Sequence, residues 1–167
     1  PYRVFCSKDS LHRVMHFVYE HTPVDYIMFS LEDSICVCRQ EKEVILNPRE
    51  VSGIITSSLW NTMLDNDLDP MLAFELSEIY AWSIDFFGLQ EGDGFKIYYE
   101  EQYVDSNYIG LGKIHGAVFY HADEEFYAVP FVQDSVESFY DQEGNSLRKA
   151  FLKAPLRFSR ISSRYSH

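Results

Sequence analysis

The chain has 167 residues, of which 46% are hydrophobic and 16% aromatic, and its 14 basic against 26 acidic side chains leave a net charge of −12. That apolar content excludes a disordered chain. The charge argues against nucleic acid or an anionic membrane surface as the main partner, because Lys and Arg clusters are missing before Arg148, and no run approaches the roughly 18 apolar residues of a membrane-spanning helix.

The first fifty residues are rich in strand signals. Tyr26-Ile-Met-Phe-Ser-Leu31 and Ser34-Ile-Cys-Val-Cys-Arg39 are β-branched or aromatic runs separated by Glu32-Asp33, and together they read as a hairpin. Residues 11–20 match both a helical and an extended pattern, and the turn signal His21-Thr-Pro-Val-Asp25 tips them toward a strand. A small antiparallel meander is therefore expected over 1–51. The start at Pro1 has no Met, charged n-region or cleavage site, which reads as a mature or trimmed chain. Of the cysteines Cys6, Cys36 and Cys38, the last two share one face if their run is a strand, and an odd count excludes full pairing within one chain.

Composition then changes. Ser57 and Ser58 are placed to cap a helix over 59–64, Asp65-Asn-Asp-Leu-Asp69 breaks it, and Pro70 opens a second helix with Leu72, Leu76, Ile79 and Tyr80 on one face. This helix pair is assigned to 52–94. Its second helix carries Glu75 and Glu78 where a DNA reader needs basic residues, so it reads as a packing unit. From Phe95 the pattern is extended again, through residues 95–100, 113–120 and 125–131, closing at Gly144. A second antiparallel lobe is expected over 95–157 and a linker strand over 158–167. The fold class is α+β.

A search for chemistry returns little. His12 and His16 lack the Glu of a zincin motif, since Arg13 stands there. Asp65-x-Asp67-x-Asp69 starts like a calcium loop, but Pro70 and Leu76 occupy positions such a loop needs for Gly and Glu, so an acidic turn rim is the expectation. Gly92-x-Gly94 lacks the third glycine of a phosphate loop, and no G-x-S-x-G element is present.

Three stretches together resemble one family. Ser57-Ser-Leu-Trp60, Leu76-Ser-Glu-Ile-Tyr-Ala-Trp-Ser-Ile-Asp-Phe-Phe87 and Gly92-Asp-Gly-Phe95 look like the region upstream of the catalytic domain in lysostaphin-type (LytM-type) zinc endopeptidases of peptidoglycan. Tyr99-Glu-Glu, Gly110-Leu-Gly-Lys-Ile114 and the basic closing run from Tyr140 to Tyr165 continue the resemblance, which is most like envelope proteins of the Bacteroides type. The family holds zinc through a His-Pro pair, His-x-Gly-x-Asp and His-x-His; none of these is here, and His167 comes too early for the first ligand. The resemblance thus implies a non-catalytic N-terminal region, with no catalytic residue, metal ligand or cofactor of its own and with zinc in a following peptidase domain. It further implies a regulatory or substrate-positioning role in the periplasm or cell envelope, with the peptidase domain in cis and peptidoglycan as partners. Trp60, Trp82, Tyr103 and Tyr108 are the candidate residues for stacking on sugars, although Trp60 and Trp82, with aromatic neighbours, read more readily as core. A free-standing cell-wall or protein-binding module is the alternative, and a carboxylate-based glycan enzyme a third reading.

Overall fold

The computed structural model describes residues 1–32 and 34–148. The chain begins with four antiparallel strands paired in sequence order: β1 (Tyr2–Cys6), β2 (Val14–Glu20), β3 (Asp25–Ser30) and β4 (Cys36–Glu41). The expected meander is present, residues 14–20 are a strand, and Cys36 and Cys38 share a face of β4. The next strand, β5 (Ile45–Ile54), already belongs to a second sheet, so the boundary anticipated at residue 51 falls inside it. Helices α1 (Leu59–Asp65) and α2 (Met71–Ile79) follow, and β6 (Gly94–Val104), β7 (Asn107–His121), β8 (Glu124–Gln133) and β9 (Val136–Tyr140) complete a five-stranded antiparallel sheet in chain order. The architecture is α+β. The linker strand expected over 158–167 lies outside the described residues, as does the basic run beyond Arg148.

Local chemistry accounts for the helix pair. The Ser58 hydroxyl accepts from the Asn61 N–H at 3.1 Å and starts α1. Asp67, at φ 53°, turns the chain out of α1, and Pro70 sits at the N-cap of α2 with the Asp69 carboxylate accepting from the Met71 N–H at 2.9 Å. Asp69 is therefore part of a helix start rather than a solvated rim.

The core lies between this pair and one face of the second sheet. Leu72, Leu76, Ile79 and Tyr80 point inward from α2, and β6 alternates Phe95, Ile97 and Tyr99 into the same layer. Tyr80 meets Phe119 edge-on with ring centres 5.9 Å apart, and its hydroxyl donates to the Phe126 carbonyl at 2.9 Å, so a fully buried polar tip is satisfied. Gly53 in β5 marks the tightest point: a Cβ there would stand 2.7 Å from the Phe95 ring. Three hairpins turn through two-residue corners with both residues at positive φ, Asp105-Ser106, Ala122-Asp123 and Asp134-Ser135. These are type I′ turns, whose twist matches the strands they join.

Candidate functional site

The first sheet has two unlike faces, and neither holds a buried residue. The strand register aligns Val4, Phe17, Phe29 and Val37 in one row across all four strands. Tyr2, Tyr19 and Ile27 form the next row, ended by Arg39, which is paired to Asp25 at 2.7 Å. Phe17 lies between Tyr2, on which it stacks, and Phe29, to which it is tilted, with ring centres 5.9 and 5.7 Å away. Yet Tyr2 remains 71% exposed and Val37 58% exposed. An apolar sheet face normally buries itself against a second layer, and among the described residues no such layer lies on these rows.

The opposite face is amphipathic. Phe5, Val18, Tyr26 and Met28 line an open groove of about 360 Å³, whose polar end is built by Arg3, Glu20, Lys42 and Asp105. His16 also borders it; its Nε2 lies 3.4 Å from Glu32, and its buried Nδ1 has no partner among the described residues. Lys42 stands where the first sheet ends. Its ammonium lies 3.0 Å from Glu20 in β2 and 3.1 Å from Asp105 in the β6–β7 turn, so one cation ties the two sheets together. The hydrogen bond from Lys42 holds the Glu20 carboxyl below its ordinary range, and Arg3 at 3.0 Å adds to it.

A second polar cluster sits on the five-stranded sheet. Glu101 is buried, which by itself raises its pKa; hydrogen bonds from Tyr103 at 2.8 Å and Arg49 at 2.6 Å reverse that effect and hold the carboxyl below its ordinary value. Tyr99 also donates to Glu101, and burial pushes its phenol up to about 12. Nearby, the Tyr108 hydroxyl donates to Asp69 in a short hydrogen bond. A buried Asp93 makes the other carboxylate site. Burial raises it, and the Gln90 N–H at 2.7 Å and His121 Nδ1 at 2.8 Å outweigh burial, leaving the group below its usual range.

Of the four residues proposed for sugar stacking, the structure brings together two. Tyr103 and Tyr108 meet edge-on at 5.8 Å, with their hydroxyls committed to Glu101 and Asp69. Trp60 and Trp82 stand on separate segments. The expectation that they are core residues is corrected: they are 50% and 45% exposed. Helix α1 buries Leu59, Thr62 and Met63, which puts Trp60 on its outer side, and the turn after α2 is anchored by Tyr80 and Ile84, which leaves Trp82 outward. Reasoning from sequence missed the bare apolar rows and the Lys42 joint. The rows had a signal, since β2 and β3 are apolar at successive positions rather than at alternate ones; the Lys42 contact with Asp105 had none. Among the described residues no group of three or more His, Cys, Asp or Glu is placed to hold a metal.

Two antiparallel sheets, one backed by a helix pair and one uncovered among the described residues, define a two-lobed α+β module. Residues 43–167 match the family described as the Csd3 second domain, and the chain belongs to that family. It is 36% identical over 127 residues to the peptidoglycan DD-endopeptidase ShyC of Vibrio cholerae, and 28% identical over 127 residues to an uncharacterized metalloprotease of Haemophilus influenzae. Each match takes in 75% of this chain but only 29% and 26% of the relative, so the chain spans less than a third of these proteins. The fold is shared with Csd3 of Helicobacter pylori, at a TM-score of 0.67 and 19% identity over 99% of this chain and 45% of that one. It is shared also with a zinc-containing peptidase of Vibrio cholerae, at 0.62 and 23% over 90% and 45%.

Proposed function

We propose that this chain is the non-catalytic N-terminal region of a LytM-type, peptidoglycan-cleaving zinc endopeptidase of the periplasm or cell envelope. In this reading it gates the peptidase domain of the same protein and positions its substrate. Zinc is held in that domain. The observation that carries the reading is the bare apolar face of β1–β4. A sheet of four strands with aromatic rows on one side is completed by a second layer, and the layer proposed here is the rim of the peptidase groove. Family membership and the printed activity of the Vibrio cholerae relative support the choice of parent enzyme. Docking across the groove excludes substrate, and release follows when another ligand favours the undocked arrangement, as in any two-state equilibrium.

The test adds this chain in trans to the separately purified peptidase domain of the parent protein and measures release of peptide fragments from peptidoglycan. The expected result is slower cleavage, restored by Phe29→Glu, which places a charge in the middle of the docking rows. Cleavage unchanged by the wild-type chain, in either rate or preference between cross-linked substrates, rejects the proposal.

A further inference from the structure

We infer that the β3–β4 hairpin carries a metal site of its own, in which Cys36 and Cys38, with Met28 beside them, hold one Cu(I) ion on the groove side of the first sheet. All three cysteines of the chain are among the described residues, and all are free thiols. Free cysteine is one of the residue types most often found inside a protein. Here Cys36 is exposed and Cys38 half-buried, so core packing does not account for the pair. The register gathers the sulfur. Cys38 stands directly opposite Met28 and Cys36 opposite Ser30, and residues two apart on a strand share a face. A thioether and a thiol therefore leave the sheet side by side, from Cβ atoms about 5 Å apart. The two thiols start from Cα atoms about 6.7 Å apart. That is the outer limit for a disulfide, and Cβ bonds running parallel off a sheet are poorly aimed for one. An ion between them spans the wider gap, because each sulfur then has to reach only the ion. Cys6 lies in β1, the edge strand on the far side of the sheet, and takes no part.

The donors select the ion. Thiolate and thioether sulfur are soft ligands, and Cu(I) is the soft ion that such a pair and a third sulfur suit. The set is two thiols and a thioether, not three of the His, Cys, Asp and Glu ligands that harder ions take. The imidazole on this face, His16, is two strands from Cys36, roughly 10 Å away, and its Nε2 faces Glu32. Cys38 also has an outer partner. Its Sγ accepts from the Gln40 side-chain amide at 3.8 Å, and the Tyr26 hydroxyl, donating to Gln40 Oε1 at 2.6 Å, keeps that amide turned toward the sulfur. An N–H held against a metal-bound sulfur orients the ligand and tunes the site. The thiol hydrogen of Cys38 points at the Met28 carbonyl, 3.8 Å from the sulfur. Each thiol releases its proton to solvent as its Cu–S bond forms, and the thioether binds without losing one. Copper enters and stays as Cu(I), so the step needs no oxidant or reductant. Met28 and Tyr26 line the open groove, which gives the ion its way in. This face is the reverse of the one carrying the bare apolar rows, and the site does not rest on the peptidoglycan reading.

The test adds Cu(I) alone to the whole reduced chain, without oxygen, in competition with a chromophoric Cu(I) chelator. One copper per chain is expected to move to the protein, with a sulfur-to-copper absorption band. Cys36→Ser and Cys38→Ser are each expected to lose the band, whereas Cys6→Ser keeps it. Met28→Leu, which conserves volume, and Gln40→Leu are expected to keep one copper and to weaken its retention by about tenfold each. In the unsubstituted chain, copper is expected to shield Cys36 and Cys38, but not Cys6, from alkylation, read by mass spectrometry of the peptides. That measurement does not depend on any variant folding. The inference is overturned if the chelator keeps the copper, or if Cys6→Ser loses it as completely as Cys36→Ser. It is overturned equally if copper bridges two chains in gel filtration, or if Zn(II) shields the thiols as well as Cu(I) does. The readout needs no peptidase, so its failure leaves the gating assay standing, and failure of gating leaves this titration standing.

Discussion

The two sheets of this molecule are built alike and finished differently. Both are antiparallel meanders paired in chain order. The five-stranded sheet is covered by α1 and α2 and buries Phe95, Ile97, Tyr99 and Phe119 almost completely. The four-stranded sheet carries comparable apolar rows and buries none of them. The difference shows that strand propensity makes a sheet, while a core needs a second layer, which the first sheet lacks among the described residues.

Substitutions that delete apolar contacts break or confirm this contrast most sharply. Leu76→Ala, at a position with no exposure, is expected to cost about 2–5 kcal/mol in chemical denaturation. Val37→Ala on the open sheet is expected to stay within about 0.5 kcal/mol. Equal losses at both sites would mean that the first sheet is covered in solution.

Acid sharpens the same contrast. Asp93 and Glu101 in the second lobe have folded-state pKa values below their ordinary 3.8 and 4.5. Their stabilisation is therefore complete above those ordinary values and is lost as pH falls through the depressed folded ones. Glu20 and Asp25 in the first lobe are also depressed, but through surface ion pairs with Lys42 and Arg39, which contribute little. Hydrogen exchange resolved by strand, followed downward from about pH 5, is expected to show protection lost in β6 and β7 as those two carboxylates protonate. Unchanged β6–β7 protection in acid would refute the role given to them.

The smallest expected effect concerns a turn. Ala122 holds φ 51° in the β7–β8 corner, a conformation that costs an L-residue about 1–2 kcal/mol. Ala122→Gly relieves that strain and is expected to raise stability by up to about 1 kcal/mol, because glycine's extra freedom in the unfolded chain offsets part of the gain. A lower melting temperature would show that the Ala122 methyl makes a contact worth more than the strain.

Several features were legible from residue order because their causes are local. The Ser58 cap, the Pro70 helix start and the strand over 14–20 each follow from interactions within a few residues. The inward face of α2 was legible too, since its buried residues recur at helical spacing. The candidate site was less so. Tyr103 and Tyr108 meet because they pair across one hairpin with a two-residue corner, whereas the exposure of Trp60 and Trp82 depends on which side of each segment the sheet occupies.

By itself, then, the sequence determined the element types, the α+β class and the absence of a zincin or phosphate-loop motif, all of which rest on short-range patterning. Only the tertiary structure decided that Arg49 reaches Glu101 and that Lys42 reaches Asp105, contacts 52 and 63 residues apart along the chain. It alone also showed that, among the described residues, the first sheet keeps an aromatic face uncovered. Register and layer packing set these features, and neither is encoded in any one stretch of residues.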